Sequence, residues 1–252
     1  MTWRALVRRR IPRWARDAIR WYRRQGFRYK KHRESPTDYL TEYDHRSLRR
    51  AKGSILWNDS WEGATRSTSE LLADLGVVRD GDTVIDYGAG IGRMSRALAE
   101  RFQVRVLAVD RSADMRRHAL RYIPPQYLDG TIQLLSDVEL LERLPSLTRS
   151  IDALLFIEVL QHIPEPIIDD LLPQLLTALK PGGRLFVLGN RELDVDATGA
   201  LAPDSRSIQE VLEHHLRIER QDLWTEGFAK PRHSFLCSVA AQGGAPKADA
   251  GG

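Results

Sequence analysis

The sequence predicts an α/β protein with a doubly wound, mostly parallel seven-stranded sheet, preceded by a basic helical extension. Three observations carry this expectation. Between Thr83 and Ala240, short apolar segments of strand length alternate with amphipathic segments of helix length. One of them, from Ile151 to Ile157, is apolar almost throughout, as a strand buried on both faces must be. A glycine-rich bend, Gly88-Ala89-Gly90-Ile91-Gly92, falls between the first strand and the helix that follows it.

The elements follow in order. Ser67 to Leu75 reads as a helix, with Gly76 as its stop. Thr83 to Tyr87 is the first strand and Ile91 to Phe102 an amphipathic helix. Arg105 to Asp110 is the second strand, and Ser112 is a good N-cap for a helix reaching about Ile123. Thr131 to Leu135 and Ile151 to Ile157 are the next strands. Glu165 to Leu179 is a helix, ended by Lys180-Pro-Gly-Gly183 before a strand from Arg184 to Leu188. A helix from Ser207 to His215 and strands near Leu216 to Trp224 and His233 to Ala240 complete the sheet.

The chain of 252 residues divides into a basic amphipathic extension over 1–53, an α/β domain over 54–241 and a Gly- and Ala-rich disordered tail over 242–252. Charge marks the first boundary. Up to Lys52 there are seventeen Lys and Arg against five Asp and Glu, a net of +12, while the rest carries −8. Within the extension Trp3, Val7, Trp14, Ala18 and Trp21 recur at mostly helical spacing among arginines, and Pro12 splits the stretch. Three readings stay open for it. Residues 1–33 suit peripheral contact with an anionic membrane surface, a grip on nucleic acid phosphates, or a solvated helix packing its tryptophans on the domain. The membrane surface is preferred to nucleic acid, because three tryptophans exceed what phosphate neutralisation needs.

Cys237 is the only cysteine, which excludes an intramolecular disulfide and argues against a structural zinc site. No stretch reaches the ~18 apolar residues of a membrane span. The expected location is cytoplasmic, with peripheral contact at the inner membrane face through the extension.

Chemistry concentrates at the glycine bend. Its spacing is GxGxG, and Arg93 stands where a dinucleotide-binding turn needs a third glycine. Asp86 ends the first strand, where a carboxylate repels a pyrophosphate and suits a cationic amine. Asp110 ends the second strand, where an acid accepts the hydroxyls of a ribose.

On these residues the segment from about Asp82 to Leu188 resembles the class I S-adenosylmethionine-dependent methyltransferases, in the branch of small, mostly soluble enzymes. The resemblance also rests on Ile151-Asp-Ala-Leu-Leu-Phe-Ile-Glu158-Val-Leu-Gln-His162-Ile-Pro164 and on Leu179-Lys-Pro-Gly-Gly-Arg-Leu185. It implies a Rossmann-like methyltransferase fold with S-adenosylmethionine as cofactor. Asp86, Tyr87, Gly88, Ala89, Gly90 and Gly92 would cradle the methionine part. Asp110 would meet the ribose and Asp137, with Val138, the adenine, and Arg111 is counted with the cofactor-binding residues.

Glu158 and His162 lie just beyond the fourth strand, on the acceptor side, and His162 has the titration range of a general base. Arg191, Glu192 and His233 are further acceptor-side candidates, and Trp57 or Trp61 would suit a lid. The segment after the fourth strand lacks the Asn/Asp-Pro-Pro-Tyr/Phe tetrad of base and amide methylation. Cys237 lies inside the last predicted strand, a poor place for a nucleophile. The expected reaction is therefore transfer of a methyl group to oxygen or nitrogen of a small-molecule, sugar or lipid-linked acceptor. RNA modification, with the basic arm as the grip, and a non-catalytic cofactor-binding partner are the alternatives.

Overall fold

The computed structural model describes residues 59–193, 206–225 and 231–238, with side chains from Gly63 onward. The extension expected over 1–53, Trp57, the Trp61 side chain and the tail over 242–252 lie outside the described residues.

Seven strands form one sheet: β1 (Thr83–Tyr87), β2 (Arg105–Val109), β3 (Ile132–Leu135), β4 (Ile151–Ile157), β5 (Leu179–Gly189), β6 (Arg217–Trp224) and β7 (Arg232–Ser238). Their spatial order is β3-β2-β1-β4-β5-β7-β6. The first five are parallel, and β7 runs antiparallel to both of its neighbours, β5 and β6. The helices are α1 (Asp59–Asp74), α2 (Arg93–Arg101), α3 (Ala113–Tyr122), α4 (Asp137–Arg143), α5 (Glu165–Leu176) and α6 (Ile208–His215), with a further single turn over Pro125–Leu128.

The central strands are buried on both faces because they present apolar side chains to each, while the edge strand β6 is largely exposed. Ile85, Leu107, Leu154, Leu185 and Phe235 belong to a core with Ile168, Leu172 and Leu175 of α5. Val84, Val106, Leu155 and Phe186 belong to the opposite core with Leu72 of α1 and Leu98 of α2. Each such Leu, Ile or Phe, once fully buried, contributes ~1.5–3 kcal/mol of transfer free energy. Crossover helices on both faces bring every parallel strand to its carboxyl end at one edge, where the loops are left to build a site.

Local signals set the element boundaries. Ser112 accepts the Met115 N–H at 3.1 Å and starts α3. Ser136 with Glu139, and Ser207 with Glu210, form reciprocal capping boxes that start α4 and α6.

The helix expected over Glu165 to Leu179 ends at Leu176, and Leu179 opens β5 instead. Two further differences from the sequence expectation are larger. Helix α1 begins at Asp59, eight residues before Ser67. The Lys180–Gly183 stretch is not a turn ahead of the fifth strand. It is a bulge within it, where four residues lie opposite Asp152 between the pairs Ile151–Leu179 and Ala153–Arg184. Asp152 explains the bulge. Its carboxylate takes the Lys180 ammonium at 2.7 and 2.8 Å and the Thr83 N–H at 2.9 Å, tying β1, β4 and β5 at the edge away from the glycine bend.

Candidate functional site

The bend after β1 is a run of left-handed glycines. Gly88, Gly90 and Gly92 have φ of 77°, 60° and 78°, a region other residues enter only with strain. The N–H groups of Gly88 and Ala89 both donate to the Val109 carbonyl, at 2.8 and 2.9 Å, so the bend leans on the end of β2. A Cβ on Gly90 would meet nothing within 4 Å, so this residue borders open space. Gly88 is different, because a Cβ there would collide with the Val159 side chain from the loop after β4.

Two acids hold this bend in shape. Asp110 accepts the Gly90 N–H on Oδ2 at 2.6 Å and the Ser112 N–H on Oδ1 at 2.8 Å. Its carboxylate thus links the bend to the start of α3. Asp86 is buried and turns under α2. It accepts the Ser95 hydroxyl at 2.6 Å and the Ser95 backbone N–H. The residue before α2, Gly92, offers no side-chain cap, so Asp86 does that work from the strand and places a carboxylate at the helix N-terminus. Burial pushes the Asp86 carboxyl up to about 6, against the pull of its Ser95 bonds.

Beyond β3, Asp137 opens α4 with its carboxylate 3.9 Å from the Arg111 guanidinium, and Val138 beside it is 58% exposed. Tyr87 is largely buried, packs on Phe156 with ring centroids 5.3 Å apart, and has its phenol pushed upward by that burial. The bend, Asp110, Asp137 and Val138 therefore lie along one edge, at the carboxyl ends of β1, β2 and β3. This arrangement fits S-adenosylmethionine. The Gly90 seat is open where a Cβ would fill it, Asp110 presents fixed acceptor oxygens, and Val138 offers an apolar surface.

On the other side of β4 the expected acceptor residues gather with three others. Glu158 adopts φ 59°, a left-handed conformation unusual for a side chain with a Cβ. Its carboxylate forms an ion pair with Arg232 at the start of β7 and accepts Gln161 Nε2 at 3.3 Å. A carboxylate engaged in this way is occupied by its own neighbours, which competes with the role of base expected of Glu158. His162 is half-buried and closes a turn in which its N–H donates to Val159 O at 2.9 Å. His233 pairs with Gly189 at the end of β5, and burial together with Arg191 pushes its imidazole pKa down. Arg191 and Glu192 are exposed on the segment after β5.

Sequence reasoning missed Ser95, Gln161 and Arg232. A serine inside a helix and an arginine 74 residues from its partner Glu158 carry no local signal. Cys237 is buried and its thiol is pushed up to about 12, which agrees with its exclusion as a nucleophile. Among the described residues no group of three or more His, Cys, Asp or Glu is placed to hold a metal, and no helix is long and apolar enough to cross a membrane.

Comparison with known proteins agrees with this geometry. Residues 84–183 match the family described as "Methyltransferase domain". Trans-aconitate 2-methyltransferase of Azoarcus sp. (strain BH72) is 34% identical over 132 residues, which are 52% of this chain and 47% of that protein. Phosphoethanolamine N-methyltransferase 2 of Caenorhabditis elegans is 28% identical over 118 residues, 47% of this chain and 26% of that protein. The chain thus spans about half, or about a quarter, of these curated relatives. Among solved structures, the Burkholderia thailandensis 1,6-didemethyltoxoflavin-N1-methyltransferase with bound S-adenosylhomocysteine shares the fold. Its TM-score is 0.59 at 19% identity, covering 82% of this chain and 91% of that one. Over residues 84–183 the chain is therefore similar to a methyltransferase domain, and it shares its fold with a methyltransferase that holds S-adenosylhomocysteine.

Proposed function

We propose that the chain transfers the methyl group of S-adenosylmethionine to an oxygen or nitrogen of a small-molecule, sugar or lipid-linked acceptor. One observation carries this reading. The open seat at Gly90 lies beside an acid whose oxygens are fixed by the Gly90 and Ser112 N–H groups. When bound, the cofactor supplies an electrophilic methyl on a sulfonium; its carbon–sulfur bond breaks, with the electron pair left on sulfur, as the acceptor's lone pair forms the new bond.

In this reading Asp110 and Arg111 hold the ribose, Gly88 to Gly92 admit the methionine part, and Asp137 with Val138 takes the adenine. Asp86 keeps α2 and the bend in place and sets a carboxylate near the amine. The protein's main contribution is alignment, which can account for a large part of such a barrier. Relatives named for trans-aconitate and phosphoethanolamine support a small acceptor. The basic, tryptophan-bearing residues 1–33 support peripheral contact with an anionic membrane, and hence an amphipathic acceptor.

Calorimetry with S-adenosylmethionine tests the first step. Binding by the wild type, and its loss in Gly90→Leu, is expected; equal affinity in both removes the basis for the assignment. A screen of small metabolites with methyl-labelled cofactor then identifies the acceptor. Binding of the full chain to anionic vesicles, set against salt-sensitive binding to RNA, separates the two readings of the arm.

A further inference from the structure

Gln161 is only 1% exposed, and its amide is oriented by charge. Nε2 donates to Glu158 Oε2 at 3.3 Å, while Arg232 holds the other carboxylate oxygen. Turning the amide over would set Oε1 against that carboxylate, so the oxygen is fixed facing away from it. There it has no hydrogen-bond partner. A buried acceptor left bare is costly, and native structures keep few of them.

The neighbourhood of this oxygen points to the missing donor. It occupies the place that a side chain on Gly189 would take. Gly189 pairs with His233 across the β5–β7 ladder. Residues opposite one another in an antiparallel pair project to the same face, with Cβ positions about 5 Å apart. His233 is half-buried there, its ring stacked over Phe235 with centroids 6.4 Å apart. Both residues stand at the sheet edge that carries the glycine bend.

We propose, on the reading that this domain transfers methyl groups, that the Gln161 amide oxygen receives a ring N–H of His233. This bond fixes the tautomer and leaves the other ring nitrogen as the base for an acceptor O–H or N–H. Gln161 is then a positioning residue and His233 the group that touches the acceptor. The proton shed as the acceptor takes the methyl goes to that bare nitrogen, forming an imidazolium that returns it to water. The charges around the ring are Arg191 and Glu192 from the segment after β5, with Arg232 beside it in β7 already paired to Glu158. On the β6 side the residue opposite is Leu223. Burial and Arg191 favour the neutral imidazole that a base requires.

The test uses the full chain with nitrogen-15 histidine and S-adenosylhomocysteine added. Ring nitrogen shifts are expected to show one tautomer at His233 in the wild type. Gln161→Leu should lose that single tautomer to a mixture, with S-adenosylhomocysteine affinity unchanged by calorimetry. Glu158→Gln frees the Gln161 amide to turn over and should loosen the tautomer likewise, by a change that keeps size and shape. Mixed tautomers at His233 in the wild type, or one tautomer persisting in both variants, overturns the proposal. Failure of the wild type to bind S-adenosylhomocysteine sinks the methyl-transfer reading instead, and leaves the tautomer result legible on its own.

Discussion

The side chain of Val159 fills the space that a Cβ on Gly88 would need, so the loop leaving β4 is seated on the bend leaving β1. Two residues later the same loop repeats the arrangement on its other side, where Gln161 covers Gly189 of β5. The β4 loop thus straddles the ends of β1 and β5, and glycine on each neighbour makes room for it.

Gly88→Ala therefore carries two costs, overlap with Val159 and a left-handed backbone. We expect a loss of about 2–4 kcal/mol in denaturant unfolding. Adding Val159→Ala should recover the overlap and leave the backbone strain. If the two single losses simply add, the residues are not coupled in this way.

Asp110→Ala removes the acceptor of two N–H groups, Gly90 and Ser112. Each hydrogen bond to a charged group contributes about 1.5–3 kcal/mol. The variant should be less stable, and its S-adenosylmethionine affinity should fall by at least about tenfold, which is about 1.4 kcal/mol. Asp110→Asn, which keeps oxygen on one side only, should fall between the two in calorimetry.

Asp86 gives a pH signature. Its folded pKa is about 6, raised by burial above an ordinary 3.8. Across the window between these values the native state holds a proton that the unfolded chain has released. This group's contribution to stability is therefore lost as pH rises from about 4 to about 6, by up to about 3 kcal/mol. Asp86→Asn keeps an acceptor for Ser95 without the charge, so it should gain stability on the wild type as pH rises. Urea melts at pH 4.5 and 7.5 measure this, and parallel pH dependence in both proteins would count against it.

Cys237 should resist thiol reagents in the native protein, since its thiol is buried and pushed up to about 12. One equivalent should react once the chain is unfolded. Rapid labelling under native conditions would mean that the β5–β7–β6 end of the sheet opens readily.

Much of this was legible in the sequence, because the signals were local. Thr83–Tyr87 and Ile151–Ile157 are strands with the expected ends, since apolar runs bounded by polar residues leave little choice. Ser112 caps its helix as its position implied, and the helix expected from Ser207 starts there. The glycine bend announced itself through spacing alone. What escaped depends on partners far away in the chain. Asp152 turns Lys180–Gly183 into a bulge, Ser95 takes the Asp86 carboxylate, and Arg232 engages Glu158. The left-handed Glu158 backbone carries no residue-type signature at all.

The strand that carries Arg232 and His233 is the last of the seven in sequence, yet it lies between β5 and β6. A ribosome releases this strand after every other part of the sheet, so β6 can join only by way of a latecomer. Until then the hydrogen-bonding rim of β5 stays bare, and Glu158 and Gly189 wait without their β7 partners. The wall formed by β5 and the loop after β4 is therefore completed only when this strand joins, beside a glycine bend whose own strands are already in place.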